Sequence, residues 1–124
     1  MTFGSFNWFF LAVTGVVISV ILLGATGRIR RNRYVGVRTR HTLKSDEGWI
    51  AGHRAIVGPT LILLLPTAII LIGSAATSSK VRSALVALSA ALIIATALIG
   101  SVTAERAAKR LSTKRRPAEE NNDK

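Results

Sequence analysis

The chain has 124 residues, which is enough for one small domain, and 49% of them are hydrophobic. It contains no cysteine, so disulfide bonds, thiol catalysis and cysteine-based zinc sites are excluded. The formal net charge of +11 is split between segments that flank long uncharged runs, and the basic residues are not interleaved with aromatic ones. This distribution points away from nucleic acid and towards anionic membrane lipids as a partner.

The uncharged runs predict membrane-spanning helices. They cover residues 1–27, 55–79 and 83–104. About 20 apolar residues cross the hydrocarbon core of a bilayer, and each run supplies them without the polar face that a helix of a soluble bundle needs. We therefore predict an all-α integral membrane protein with three transmembrane helices. The predicted spans are Trp8–Thr26, Ile56–Ala75 and Ser83–Val102.

The N-terminal span has one alternative interpretation, a cleaved signal peptide. Residues 1–7 carry no positive charge, and no A-x-A cleavage pattern follows the apolar run. We therefore expect this span to stay attached.

Lys and Arg are distributed unevenly among the segments that connect the spans. Eight lie between Arg28 and Arg54, two lie in the turn near residues 76–82, and seven lie in the C-terminal tail. Because short segments rich in Lys and Arg remain in the cytoplasm, we expect the first loop and the tail to be cytoplasmic. The N-terminus then lies outside, in a multi-pass protein of the plasma membrane.

Residues 1–112 form the predicted membrane domain, and residues 113–124 form a basic and then acidic tail that we expect to be disordered. The third helix is expected to run past the membrane until about Pro117. A small-residue stripe on this helix is expected to pack it against the other two, with dimerisation as the alternative. The stripe consists of Ser83, Ala87, Ala91 and Ala95. No ionisable residue lies deep within a span, so a channel or pump is not predicted.

The first loop carries both histidines, in the stretch "NRYVGVRTRHTLKSDEGWIAGHR" at residues 32–54. Ser45 is a predicted N-cap of a helix that continues into the second span, because acidic residues follow it in the first turn. On that helix Asp46, Trp49 and His53 share one face. The preceding "YVGVRTR" is expected to be extended, with Gly36 shaping an arm that carries Arg38.

Several roles compete for these loop residues. Trp49 is most simply an anchor at the membrane interface, and the arginines at positions 28, 30, 31 and 33 serve orientation. His41 and His53 with Asp46 and Glu47 have a spacing that fits no familiar metal site, and we expect no adjacent nucleophile and no paired carboxylates facing a cavity. We therefore expect neither an enzyme nor a cofactor, and predict that Arg38 joins the shared helix face in one recognition site.

The same residues resemble the SdpI family of membrane proteins. Its pattern is roughly N-x-x-x-G-[IV]-R-T-x-x-T-L-x-S-[DE]-x-x-W-x-x-x-H/N, placed after one span and before two more. The matching residues, which form the predicted recognition motif, are Asn32, Gly36, Arg38, Thr39, Thr42, Leu43, Ser45, Asp46, Trp49 and His53. Arg40 departs from the pattern, since many relatives have proline there.

The resemblance implies a function class. The family is named after a longer immunity protein with additional N-terminal spans, which is thought to protect the cell from a secreted toxic peptide and to hold a cytosolic transcriptional repressor at the membrane. By resemblance, this chain is expected to be a small bacterial immunity or signalling protein with a cytoplasmic-face recognition site for a protein partner or a lipid headgroup. The alternative is an accessory or structural subunit of a larger membrane complex. The sequence determines neither the ligand nor the oligomeric state.

Overall fold

The structure, a computed structural model, describes the backbone of residues 3–120 and the side chains of residues 6–114. It contains α1 (Phe3–Ala25), α2 (Asp46–Ser74) and α3 (Ser79–Glu120), and these described residues include no β-strand. All three helices are long and apolar enough to cross a membrane. The prediction of an all-α membrane protein with three spanning helices is confirmed.

The start of α2 agrees with the boundary predicted from the sequence, whereas the end of α3 differs from the predicted one. α2 begins directly after Ser45 and continues through both of its prolines. α3 continues to Glu120, beyond Pro117 and into the segment that we assigned to a disordered tail, of which residues 121–124 lie outside the described part. The physical reason is composition, because the segment after the apolar run is rich in Ala, Arg, Lys and Glu, which all favour helix.

Contacts within the chain define two compact units. The first comprises residues 1–19 and 58–99, and the second comprises residues 20–57 and 100–124. Each unit therefore contains a part of every helix. The whole loop between α1 and α2, residues 26–45, belongs to the second unit.

The first unit buries small polar side chains at helix positions seven residues apart. These side chains are Asn7 and Thr14 on α1, Thr60, Thr67 and Ser74 on α2, and Ser89 and Thr96 on α3. Positions seven residues apart lie on one face of a helix, and small residues there let neighbouring backbones approach closely.

The buried polar groups of this unit are largely satisfied locally. The Thr67 hydroxyl donates to the carbonyl of Leu63 at 2.7 Å, as hydroxyls on membrane helices commonly do. Asn7 Nδ2 donates to Ser74 Oγ at 2.6 Å and so connects α1 with α2. Leu64 and Leu71 are buried beside these polar groups, but many other large apolar side chains face outwards; Ile62, for example, is 73% exposed. This arrangement suits a surface that faces lipid.

The small-residue stripe of α3 does not pack as predicted. Ser83, Ala87 and Ala91 are exposed and Ala95 is half-buried. The expectation that the stripe packs α3 against the other two helices is therefore wrong. A small-residue repeat permits close approach of another helix, but it does not decide which of two small faces is used, and here the buried face carries Ser89 and Thr96.

Arg82 organises the turn between α2 and α3. Its guanidinium donates to the carbonyl oxygens of Ser74 at 3.2 Å, Ala75 at 3.2 Å and Thr77 at 2.8 Å. These carbonyls lie at or just after the C-terminal end of α2, where the helix dipole favours a positive charge. One of the two basic residues of this turn is thus used for helix capping.

Candidate recognition site in the loop between α1 and α2

The loop starts with a glycine that ends α1. Gly27 has a φ of +73°, a value that side-chain-bearing residues rarely adopt, and its amide donates to the carbonyl of Gly24 at 3.1 Å. Arg54 of α2 donates to the carbonyl of Ala25 at 3.0 Å. These contacts satisfy carbonyls that the end of α1 would otherwise leave without partners.

Trp49 and His53 form the buried centre of the loop. They are 1% and 0% exposed, and their ring centroids lie 4.3 Å apart. Trp49 Nε1 donates to the carbonyl of Ile29 at 3.0 Å. The Val37 amide donates to His53 Nε2 at 3.2 Å, and His53 Nδ1 lies 2.9 Å from the Trp49 carbonyl. Because Nε2 accepts a hydrogen bond, the imidazole is the neutral tautomer that carries its proton on Nδ1.

Gly36 allows the loop to pass directly over these two rings. Its φ is +98°, and a Cβ at this position would lie 2.7 Å from His53 Nε2 and 2.8 Å from Trp49 Cη2. Both the backbone conformation and the available space therefore require glycine. The segment bends at residues 33–36 and is not the extended arm that we expected.

A pair of threonines holds the next turn of the loop. The Thr39 amide donates to Thr42 Oγ1 at 2.8 Å, and Thr42 Oγ1 donates to the carbonyl of Val37 at 3.1 Å. Thr42 is fully buried, and its methyl group occupies the space beside Gly52 of α2, where a Cβ would lie 2.6 Å from it. The turn is therefore packed closely on α2.

Glu105 of α3 fixes the loop from the other side. Its Oε2 accepts a hydrogen bond from the His41 amide at 3.1 Å, and its Oε1 contacts His41 Nδ1. Sequence analysis did not select Glu105 as a site residue. The sequence does contain a feature that could have identified it. Glu105 is the first charged residue after the last uncharged run, and it is the one acidic residue among the basic residues that begin the tail.

The remaining polar residues of the motif also serve the local fold. Asn32 Oδ1 accepts from the amides of Tyr34 at 2.9 Å and Val35 at 2.8 Å. Ser45 Oγ accepts from the Gly48 amide at 3.0 Å, which confirms Ser45 as the N-cap of α2.

Arg31 joins the loop to the start of α2. Its Nη1 donates to the carbonyl of Leu43 at 2.8 Å, and its Nε lies 3.3 Å from Asp46 Oδ1. Arg31 therefore contributes to the fold of the loop in addition to carrying one of its positive charges.

Most cationic side chains of the loop remain at its surface. The exposed ones apart from Arg31 are Arg28, Arg30, Arg33, Arg38, Arg40 and Lys44. Arg38 Nη1 donates to the carbonyl of Arg33, so one end of its guanidinium is bonded to the loop backbone while the side chain as a whole stays exposed.

The structure separates the four residues that we predicted to act as one recognition site. Trp49 and His53 are buried, whereas Arg38 and Asp46 are exposed. No surface therefore presents all four, and a partner could touch only the exposed pair. The interpretation of Trp49 as a membrane-interface anchor is also wrong, because its indole is packed inside the loop and its N–H is bonded to the backbone.

Metal ligation finds no support in the described residues, which contain no group of three or more His, Asp or Glu side chains placed to hold an ion. The site is instead a folded loop with a basic surface.

The chain is similar to known proteins at the level of a protein family. No curated protein and no solved structure matches the chain. A model of the SdpI/YfhL protein family matches residues 28–103, which contain the complete motif loop, α2 and the first part of α3. Because this region covers more than half of the chain and carries the motif, the chain is a small membrane protein that belongs to the SdpI/YfhL family.

Proposed function

We propose that the chain is an SdpI-type immunity or signalling protein of the plasma membrane whose cytoplasmic loop recognises an acidic segment of a protein partner. One observation carries this proposal: the motif residues bond and pack with one another, while six cationic side chains of the loop stay exposed. Apart from Arg38, the motif residues therefore support a basic surface rather than forming the contact themselves.

The rigid base of the loop favours specific binding over general attraction. Ordering a flexible segment upon binding costs conformational entropy, and a loop that is already folded avoids that cost. Arg38 presents a planar fork of donors that matches a carboxylate, and Arg40 lies two residues away. The excess of Lys and Arg in the loop supports its placement on the cytoplasmic side.

The proposal can be tested by affinity purification of the full chain in mild detergent, with identification of the proteins that accompany it. A double variant, Arg38→Ala with Arg40→Ala, should reach wild-type abundance in the membrane but lose an acidic partner. The matched control, Arg110→Ala with Lys114→Ala, removes the same two charges from α3 and should retain that partner. Equal loss in both variants, or loss in neither, would show that the loop does not recognise a partner through these arginines.

The alternative, a subunit of a larger membrane complex, is favoured by the exposed stripe of Ser83, Ala87 and Ala91. Small residues on a lipid-facing helix surface permit close packing of another helix. The same purification tests this alternative, because membrane subunits held through α3 would accompany both double variants in fixed proportion.

A further inference from the structure

A shallow groove lies between the loop and the part of α3 that belongs to the second unit. Its volume is about 480 Å³. Thr39 and His41 line it from the loop, and Val102, Glu105, Arg106 and Lys109 line it from α3. Nothing in the proposed recognition of a protein partner uses the α3 side of this groove.

The groove has an excess of positive charge. The spacing of Glu105 and Lys109 would suit an ion pair along the helix, but Glu105 is bonded to His41 instead. Arg106 and Lys109 are exposed and have no acidic partner among the side chains that the structure describes. Arg106, Lys109 and the Glu105 carboxylate together give the groove a net charge of +1, which the single negative charge of a phosphodiester would neutralise.

The position of the groove along α3 matches the depth of phospholipid headgroups. The uncharged part of α3, residues 83–104, is about 33 Å long at 1.5 Å per residue, close to the thickness of the hydrocarbon core. Glu105 to Lys109 form the next turn, where the polar layer of the bilayer begins. Val102, which is 51% exposed, provides an apolar floor on the hydrocarbon side.

We propose that this groove binds the headgroup of a membrane phospholipid. Arg106 and Lys109 hold the phosphate, and Glu105 accepts a hydrogen bond from the alcohol or ammonium that the phosphate carries. A carboxylate has about four lone-pair sites, so its two contacts with His41 and its hydrogen bond from the Thr39 side chain leave room for one such donor. The ligand class is thus a glycerol or ethanolamine phospholipid, and a choline headgroup, which has no donor, fits poorly.

The test compares three lipids with identical acyl chains, added to the full chain purified in mild detergent, by native mass spectrometry. Phosphatidylethanolamine and phosphatidylcholine have the same net charge and differ in their donors, so we expect the first to bind about tenfold more tightly. Phosphatidylglycerol should bind most tightly because it also neutralises the groove. Equal affinity for the three lipids would overturn the proposal.

Matched variants separate this site from general attraction to a basic helix. The variant Arg106→Gln with Lys109→Gln should lower the affinity for phosphatidylglycerol about tenfold or more. The control, Arg110→Gln with Lys114→Gln, removes the same charge outside the groove and should bind as the wild type does. Equal loss in the two variants would overturn the proposal.

Two further measurements examine the carboxylate and the lipid. Glu105→Gln should abolish the preference for ethanolamine over choline, while its amide oxygen still accepts from the His41 amide. Persistence of that preference would contradict the assigned role of Glu105. Inorganic phosphate should not displace phosphatidylglycerol, and full displacement by it would show a site for free anions instead of a lipid site.

Discussion

Gly36 is a position where one added carbon atom would disturb the loop. The backbone there is in the left-handed region, and the space above it is filled by the rings of Trp49 and His53. Both rings are buried and hydrogen-bonded to the backbone, so neither can move aside without losing a bond. The conformation of the arginine-bearing segment thus depends on a residue that has no side chain.

We predict that Gly36→Ala destabilises the chain by about 2–4 kcal/mol, through backbone strain together with overpacking. Thermal unfolding in mild detergent measures this change. Gly15→Ala is the matched control, because a Cβ at that exposed helical position meets nothing within 4 Å. It should be neutral or stabilise by up to about 1 kcal/mol. Similar melting temperatures for the two variants would contradict the close packing over Gly36.

Several loop residues that the sequence singled out for recognition have a structural role in the loop instead. Periodicity predicted that Trp49 and His53 share one face of α2. It could not predict which segment covers this face, because the hydrogen bonds with Val37 and Ile29 join residues far apart in the sequence. A His53→Ala variant would leave the Val37 amide without its acceptor, so a lost phenotype would report a folding defect. Substitution of exposed arginines such as Arg38 is therefore the more direct test of recognition.

Ser45 determines where the irregular loop ends and α2 begins. Its side chain caps the Gly48 amide, and its carbonyl accepts from the Trp49 amide at 3.0 Å, which is the first helical hydrogen bond. This signal is local, and the sequence was sufficient to identify it. The cap also fixes the register that directs Trp49 and His53 into the loop.

We expect Ser45→Ala to destabilise the chain by about 1 kcal/mol, because the Gly48 amide loses its acceptor. Hydrogen exchange of that amide should become faster, while exchange in the middle of α2 should stay slow. Ser45→Asp provides the control, since a carboxylate accepts the same bond and suits the helix N-terminus. Unchanged exchange in Ser45→Ala would mean that the cap does not stabilise this end of the helix.

At the scale of the whole chain, the pattern of hydropathy predicted the spans because length and apolarity are local properties of each segment. The faces that pack were harder to predict, since most buried positions of the first unit are polar while Ile62 and Ile69 face outwards. In lipid, apolar surface gains little from burial, so small residues and hydrogen bonds decide the packing. Several small faces compete in this sequence, which explains the error at the stripe of α3.

Orientation in the membrane follows from the distribution of basic residues. Fifteen of the 17 Lys and Arg residues lie between Arg28 and Arg54 or after residue 104. The turn between α2 and α3 has two, and Arg82 is occupied by the carbonyls at the end of α2. This asymmetry favours a cytoplasmic location for the loop and the tail. In that orientation the basic surface of the loop would lie on the side where a cytosolic partner is found.

Because the chain has no cysteine, single cysteines can report this orientation without other labelled sites. The exposed positions Ser78, Lys44 and Thr113 sample the turn, the loop and the far part of α3. In intact cells a membrane-impermeant thiol reagent should label Ser78→Cys but neither Lys44→Cys nor Thr113→Cys, and after lysis it should label all three. Labelling of Lys44→Cys in intact cells would place the basic loop outside, where no cytosolic partner could reach its arginines, and would overturn the proposed function together with the topology.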